Sequence, residues 1–275
     1  MATTKKWNTG DFCWSEVGTT DVNRTKAFYG ELMGWTAKDH PMPEGMTYTL
    51  FQVNGQDVGG CYPLQPEQVK NGVPPHWLSS IWAEDIDAVA ARTPKLGGKV
   101  LMPPMSMNGD SMRFAVLQDS TGAQFGVFKN LKENKGAPQF ADGTHGVPCW
   151  NELMTKDAAE ALRFYGELFH WRAGKMENTP NEPGMMNYTI LKSESMPQGL
   201  GGMMQMDANM AKNVPTHWEA YYTADNCDDR VNRAKKLGAT ILVPPTDIPT
   251  VGRFSTIQDP LGAVFSILQP FPRQK

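Results

Sequence analysis

The chain has 275 residues, a formal net charge of -3 and an apolar fraction of 40%. That is enough material for two ordinary cores. It excludes a basic nucleic-acid face, because Lys and Arg form no run or patch. No apolar stretch approaches the roughly 20 residues that a membrane span needs. The start, Met1 to Trp7, is short and polar and lacks the apolar centre of an export signal, so a cytoplasmic protein is expected. Cys13, Cys61, Cys149 and Cys227 form no CxxC pair. They read as reduced thiols. Seventeen Met residues, several in turn-like stretches such as Met102 to Met107, suit adaptable filler.

In chain order, Phe12 to Val17 predicts a short strand. Asp21 to Leu32 predicts a helix, with Thr20 or Asp21 capping its free amides and Gly34 ending it in the left-handed region. Thr47 to Val53 and Val58 to Leu64 read as strands. Trp77 to Ala83 starts a second strand–helix pattern. Its helix runs from Ile86 to Leu96, with Pro94 predicted to end or kink it early. Strands are expected at Lys99 to Met102, Met112 to Gln118 and Gln124 to Phe128.

The same order then recurs. Cys13-Trp14-Ser15-Glu16 returns as Cys149-Trp150-Asn151-Glu152, and Phe28-Tyr29-Gly30-Glu31-Leu32 as Phe164-Tyr165-Gly166-Glu167-Leu168. His76-Trp77 returns as His217-Trp218, Arg113-Phe114 as Arg253-Phe254, and Gln118-Asp119 as Gln258-Asp259. Such self-similarity marks a duplication. The predicted organisation is a first domain at 1–130, a polar, proline-punctuated linker at 131–144 and a second domain at 145–275. The second copy is longer around Met176 to Met186, where a longer loop is expected. Each copy is itself two strand–helix–strands modules.

These motifs resemble the vicinal oxygen chelate superfamily, which includes glyoxalase I, bleomycin-resistance proteins and extradiol dioxygenases. The resemblance is nearest to its duplicated glyoxalase-like members, some labelled hydroxylases, and covers about Trp7 to Pro270. It implies an α+β fold of four βαβββ modules, paired into two glyoxalase-like domains whose curved mixed sheets form open cups. It also implies where metal-dependent members carry ligands. In this sequence those positions hold Trp14 and Trp150, Leu78 and Glu219, Gly126 and Ser266. One more falls among Gly59-Gly60-Cys61 and Gly201-Gly202-Met203. The first three pairs include few usable donors. No metal or other cofactor is therefore expected, and the second copy, where Glu219 and His217 could recruit Glu152, is where a divalent ion has the better prospect.

Alternation along a strand puts Trp14 with Glu16, and Trp150 with Glu152, on one face. His217 shares a face with Glu219, and His76 with Leu78. Glu16, His76, Glu152, His217 and Glu219 are accordingly the candidate acid–base residues, since a carboxylate beside an aromatic wall is suited to proton transfer. His76 and His217 can instead bond a backbone carbonyl. Trp14, Tyr48, Arg113, Trp150, Tyr188 and Arg253 are the candidate ligand-binding residues. Arg113 and Arg253 can alternatively close ion pairs with the repeated glutamates, Glu16 and Glu152. The expected activity is metal-free acid–base chemistry, of isomerase or lyase type, on a small organic molecule. The alternatives are a non-catalytic drug- or metabolite-binding protein, and a metal-dependent glyoxalase or dioxygenase with an atypical second-copy site. The expected partner is a small-molecule ligand, with no nucleic acid or membrane, and the expected state is a monomer or homodimer.

Overall fold

A computed structural model describes residues 6–42, 45–107, 111–174 and 188–272. The expected longer loop at Met176 to Met186 lies outside them. The first module runs β1 (Phe12–Thr19), α1 (Val22–Met33), β2 (Thr36–Pro41), β3 (Thr47–Val53) and β4 (Gln56–Pro63), followed by a short α2 (Pro66–Lys70). The second runs β5 (His76–Trp82), α3 (Ile86–Arg92), β6 (Lys99–Met107), β7 (Met112–Gln118) and β8 (Gln124–Asn130). The third has β9 (Pro148–Thr155), α4 (Ala158–Phe169), β10 (Arg172–Gly174), β11 (Tyr188–Lys192), β12 (Gly201–Gln205) and a short α5 (Met210–Asn213). The fourth has β13 (His217–Thr223), α6 (Cys227–Lys236), β14 (Thr240–Ile248), β15 (Gly252–Gln258) and β16 (Val264–Pro270). This is the expected α+β fold. Two mixed eight-stranded sheets order as β2-β3-β4-β1-β5-β8-β7-β6 and β10-β11-β12-β9-β13-β16-β15-β14.

Local signals act as expected at several points. Asp21 caps α1 by accepting from the Arg24 amide, and Gly34 ends it at φ 69°. Asp157 caps α4 in the same way. Pro94 ends the regular helix α3 at Arg92, and Thr93–Leu96 continues only as a 3-10 turn. The counterpart α6, with Lys235 at that place, runs on to Lys236. One strand goes beyond the sequence expectations, and one expectation needs correction. Thr36–Pro41 is a strand, although it is polar and mostly exposed. Its backbone pairs antiparallel with β3, and that ladder forms it without an apolar face. Strand β6 does not stop at Met102. It continues through Pro103-Pro104 because register shifts between Val100 and Met105 take up the residues that cannot donate.

By internal packing the chain divides into two compact units that do not follow the repeat. The first comprises Met1–Trp14, Ser79–Ala137 and Trp150–Glu219; the second comprises Ser15–Leu78, Pro138–Cys149 and Ala220–Lys275. Each unit therefore has its own core drawn from both copies. In the first, Ile81, Leu117 and Phe125 pack with Phe164, Tyr165 and Trp171. In the second, Tyr29, Trp35 and Phe51 pack with Tyr222, Phe265 and Ile267. Among the described residues, no helix is long and apolar enough to cross a membrane. All four cysteines are free thiols.

One buried polar chain recurs in both cores. In the first unit the Trp218 indole donates to the Tyr165 hydroxyl at 2.7 Å, and Tyr165 donates to Asp119 at 3.0 Å. The other carboxylate oxygen of Asp119 accepts from the amides of Thr121, Gly122 and Ala123. In the second unit Trp77, Tyr29 and Asp259 make the same chain at 2.8 and 3.1 Å, and Asp259 accepts from Leu261, Gly262 and Ala263. Gly122 and Gly262 sit at φ 109° and 112°, which explains the glycine of each Asp-x-x-Gly turn. Tyr165→Phe would strand a buried indole N–H and lose one carboxylate bond. It should cost about 1–3 kcal/mol of unfolding free energy in urea titration, with Tyr29→Phe similar.

Candidate functional site

Five functional candidates of the second copy, Trp150, Glu152, Tyr188, His217 and Glu219, lie in the first unit, and Arg253 lies in the second. Leu153, Leu191, Met203 and Trp218 are core residues of β9, β11, β12 and β13. Alternation then turns Trp150, Glu152, Tyr188, Gly202, His217 and Glu219 to the opposite face. Two linked pairs stand there. Tyr188 receives a bond from the Trp150 indole at 2.8 Å and is itself hydrogen-bonded to Glu152. Burial, and then the charge of Glu152, push the Tyr188 phenol far above its ordinary range. It is therefore a neutral donor to a carboxylate at any working pH.

The second pair is His217 and Glu219. The His217 Nδ1 lies 2.8 Å from the Pro215 carbonyl, which can only accept, so Nδ1 carries the hydrogen. That fixes Nε2 toward the Glu219 carboxylate, 3.5 Å away. Glu219 is only 6% exposed. Burial disfavours the imidazolium, but the Glu219 and Pro215 bonds, reinforced by the charges of Glu219 and Glu152, outweigh it. The imidazole is held above its ordinary pKa. The site thus groups two carboxylates, an imidazole inclined to be protonated, a phenol and an indole.

The first copy differs. Its His76 Nδ1 bonds the Pro74 carbonyl at 2.8 Å, as His217 does with Pro215. But the residue two further on is Leu78, 3% exposed, so no carboxylate faces that imidazole from the same strand. Tyr48 donates to Glu16 at 2.6 Å within the second unit. Trp14 is part of the first unit, at the start of β1. Arg113 donates to Asp87 through Nε and Nη2, and Arg253 donates to Asp228 and Asp247. Asp87 and Asp228 lie in the first turns of α3 and α6. These ion pairs tie a helix start to a strand, where the sequence had pointed to Glu16 and Glu152.

The tyrosine–glutamate bond was not read from the sequence, though Gly60 and Gly202 signal it. Gly60 pairs with Glu16 and Gly202 with Glu152 in adjacent strands. A Cβ on Gly60 would stand 2.0 Å from the Tyr48 hydroxyl oxygen, and one on Gly202 1.8 Å from that of Tyr188. Only glycine leaves room for the phenol. The same fact bears on the metal question. Gly60 and Gly202 lie in the segment where the resemblance implies a ligand, and the tyrosine hydroxyl already fills that space. A Cβ on Gly126 would stand 2.1 Å from the Ser80 Oγ. Among the described residues, no group of three or more His, Cys, Asp or Glu side chains could hold a metal ion. The residues present do not fit a divalent ion, and no step here is derived through one.

The sequence matches the Glyoxalase/Bleomycin resistance protein/Dioxygenase superfamily over residues 14–127 and again over 149–267. The chain belongs to that superfamily. It is 34% identical over 262 residues to "Putative glyoxylase CFP32" of Mycobacterium tuberculosis, covering 95% of both chains. It is 30% identical over 269 residues to the anthracycline biosynthesis protein DauV of a Streptomyces species, covering 93% of this chain and 92% of the relative. Its fold is similar to that of the Mn(II)-bound glyoxalase from Novosphingobium aromaticivorans. There the TM-score is 0.62 at 15% identity, covering 95% of this chain and 82% of that one. A variant of homoprotocatechuate 2,3-dioxygenase from B. fuscum aligns with a TM-score of 0.60 at 12% identity, over 98% of this chain and 74% of that one. These two likenesses show the fold alone, and a fold carries many chemistries.

The raised His217 pKa sets an expectation. A folded-state pKa above the unfolded one stabilises the protein fully below about pH 6.5, and that contribution is lost as pH rises through the folded value. An NMR titration should place His217 above the ordinary imidazole value, and Glu219→Gln should bring it down. An unshifted His217 in the parent protein would contradict the pair.

Proposed function

We propose that the chain acts on a small carbonyl-bearing or phenolic molecule by metal-independent proton transfer, carried out by the second copy. The observation that carries this reading is the Glu219–His217 pair, in which a nearly buried carboxylate faces an imidazole of fixed tautomer. In this reading His217 is the general acid toward the substrate oxygen, and Glu219 holds and charges it. Glu152 is the general base, aimed by Tyr188 and fixed through it to Trp150. A proton leaves carbon to Glu152 as His217 protonates the oxygen, giving an enol. The reverse transfer at a neighbouring carbon completes an isomerisation. Moving the proton in two positioned steps is what such pairs contribute, about 10²–10⁴-fold.

The names of two relatives, a glyoxylase and an anthracycline biosynthesis protein, are compatible with 1,2-dicarbonyl adducts and with oxygenated polycyclic aromatics as substrate classes. We further propose duplicated domains at 1–130 and 145–275 joined by a linker at 131–144, in a cytoplasmic monomer or homodimer.

The test is deuterium incorporation at carbon next to the carbonyl, followed by NMR in heavy water, across hemithioacetals of 1,2-dicarbonyls and hydroxylated 1-tetralones, in both of which that carbon carries hydrogen. Glu152→Gln and His217→Ala should each lower incorporation about 10²-fold or more with the fold intact. Binding without incorporation by the parent protein would make the chain a ligand-binding protein instead. Incorporation that both variants retain would remove these residues from the chemistry.

A further inference from the structure

Trp150 differs from the core indoles in what surrounds it. Trp35, Trp77, Trp82, Trp171 and Trp218 are buried, and each packs against another aromatic ring. Trp150 is half-buried, and among the described residues it packs against no aromatic ring. Aromatic side chains contribute most when both faces are covered, so an indole left partly open beside a carboxylate calls for a reason.

The placement of the ring is set by glycines. Its Nε1 donates to the Tyr188 hydroxyl at 2.8 Å. A Cβ on Gly202 would stand 2.9 Å from that Nε1, and one on Gly199 would stand 3.2 Å from Cη2 at the far end of the indole. The Nε1–Cη2 edge thus runs along the backbone from Gly202 to Gly199. Gly199 holds φ 136°, a conformation that side chains rarely adopt. With that edge packed and hydrogen-bonded, the ring is a fixed wall whose π-faces meet no other ring among the described residues.

The first copy lacks this glycine track. Gly60 pairs with Glu16 as Gly202 pairs with Glu152, so Gly59 and Gly201 are equivalent. Two residues before Gly201 stands Gly199, but two before Gly59 stands Asp57, which accepts from Gln52. At Gly60 the three atoms nearest a Cβ all belong to Tyr48, whereas at Gly202 the third is the Trp150 Nε1. The track belongs to the same copy that sets Glu219 beside His217.

We propose that the Trp150 indole stacks a planar aromatic ring of the substrate, so that the second copy takes aryl ketones and not aliphatic 1,2-dicarbonyl adducts. This assignment rests on the proton-transfer reading for the identity of the reacting carbon. Trp150 and Glu152 stand on one face of β9, about 7 Å apart along the strand. A ring held on the indole brings the carbon beside its carbonyl toward Glu152, and His217 lies on the adjacent strand β13. Offset stacking adds attraction beyond the area covered, and it selects flat rings over puckered ones.

The experiment compares 1-tetralone with 1-decalone, one carbon skeleton with and without the aromatic ring, by ligand-observed NMR and calorimetry on the full chain. 1-Tetralone should bind about tenfold more tightly, although 1-decalone is the more apolar ketone. The Trp150 indole N–H resonance, identified by its loss in Trp150→Phe, should move when 1-tetralone binds. Trp150→Leu should bring the two ketones within about twofold of each other, while Trp150→Phe, which keeps a flat ring, should retain most of the preference. Melting temperatures check both variants, and if Trp150→Leu does not fold, the parent preference and the indole shift decide. Choline is the third probe, since an indole beside a carboxylate can also hold a cation. The proposal is overturned if 1-decalone binds as tightly as 1-tetralone, if choline binds and 1-tetralone does not, or if a folded Trp150→Leu keeps the preference. Preferential binding of 1-tetralone with no deuterium exchange in heavy water would uphold the stacking wall and sink the proton-transfer reading. Equal binding and equal exchange of both ketones would do the reverse.

Discussion

A tyrosine hydroxyl held between an indole and a carboxylate organises the centre of each compact unit. Tyr29 and Tyr165 have no exposed surface, and Asp259 and Asp119 are 5% and 3% exposed. A carboxylate so placed is costly unless every lone pair is used. Here one oxygen of each takes the turn amides and the other takes the phenol. Burial still raises both aspartates, against the pull of those bonds. The arrangement ties a helix of one repeat to a turn of the other: Tyr165 belongs to the second repeat and Asp119 to the first, both inside one core. Neither repeat contains a complete chain of its own, which is a physical reason for the duplication to persist as a pair.

Much of this was legible in the sequence because the signals were local. The caps at Asp21 and Gly34, the early end of α3 at Pro94 and the duplicated strand pattern need no knowledge of distant partners. Strand β2 was not legible, because Thr36 to Pro41 carries no apolar alternation and exists by pairing with β3. The interleaving of the repeats in each core was also hidden. It depends on which helix packs on which sheet, and the pattern of one helix does not name its partner. At the candidate site, alternation placed Trp150, Glu152, His217 and Glu219 on one face. What alternation could not supply was the partner of each. Tyr188 reaches Glu152 from another strand across a glycine, and Arg253 turns to Asp228 and Asp247 on neighbouring elements.

The two copies share a scaffold and differ in charge at one decisive position. Leu78 and Glu219 occupy the same place on equivalent strands, beside imidazoles that make the same backbone bond. A leucine there leaves the His76 ring without a carboxylate from its own strand. A nearly buried glutamate makes the His217 ring a cation-holder. Burying Glu219 costs solvation, and a protonated His217 offsets that cost only while it is bonded to it. Such a pair is not how a strand would be stabilised most simply, since Leu78 fills the equivalent place with no charge at all. In the proton-transfer reading proposed above, the glutamate serves the imidazole and not the fold.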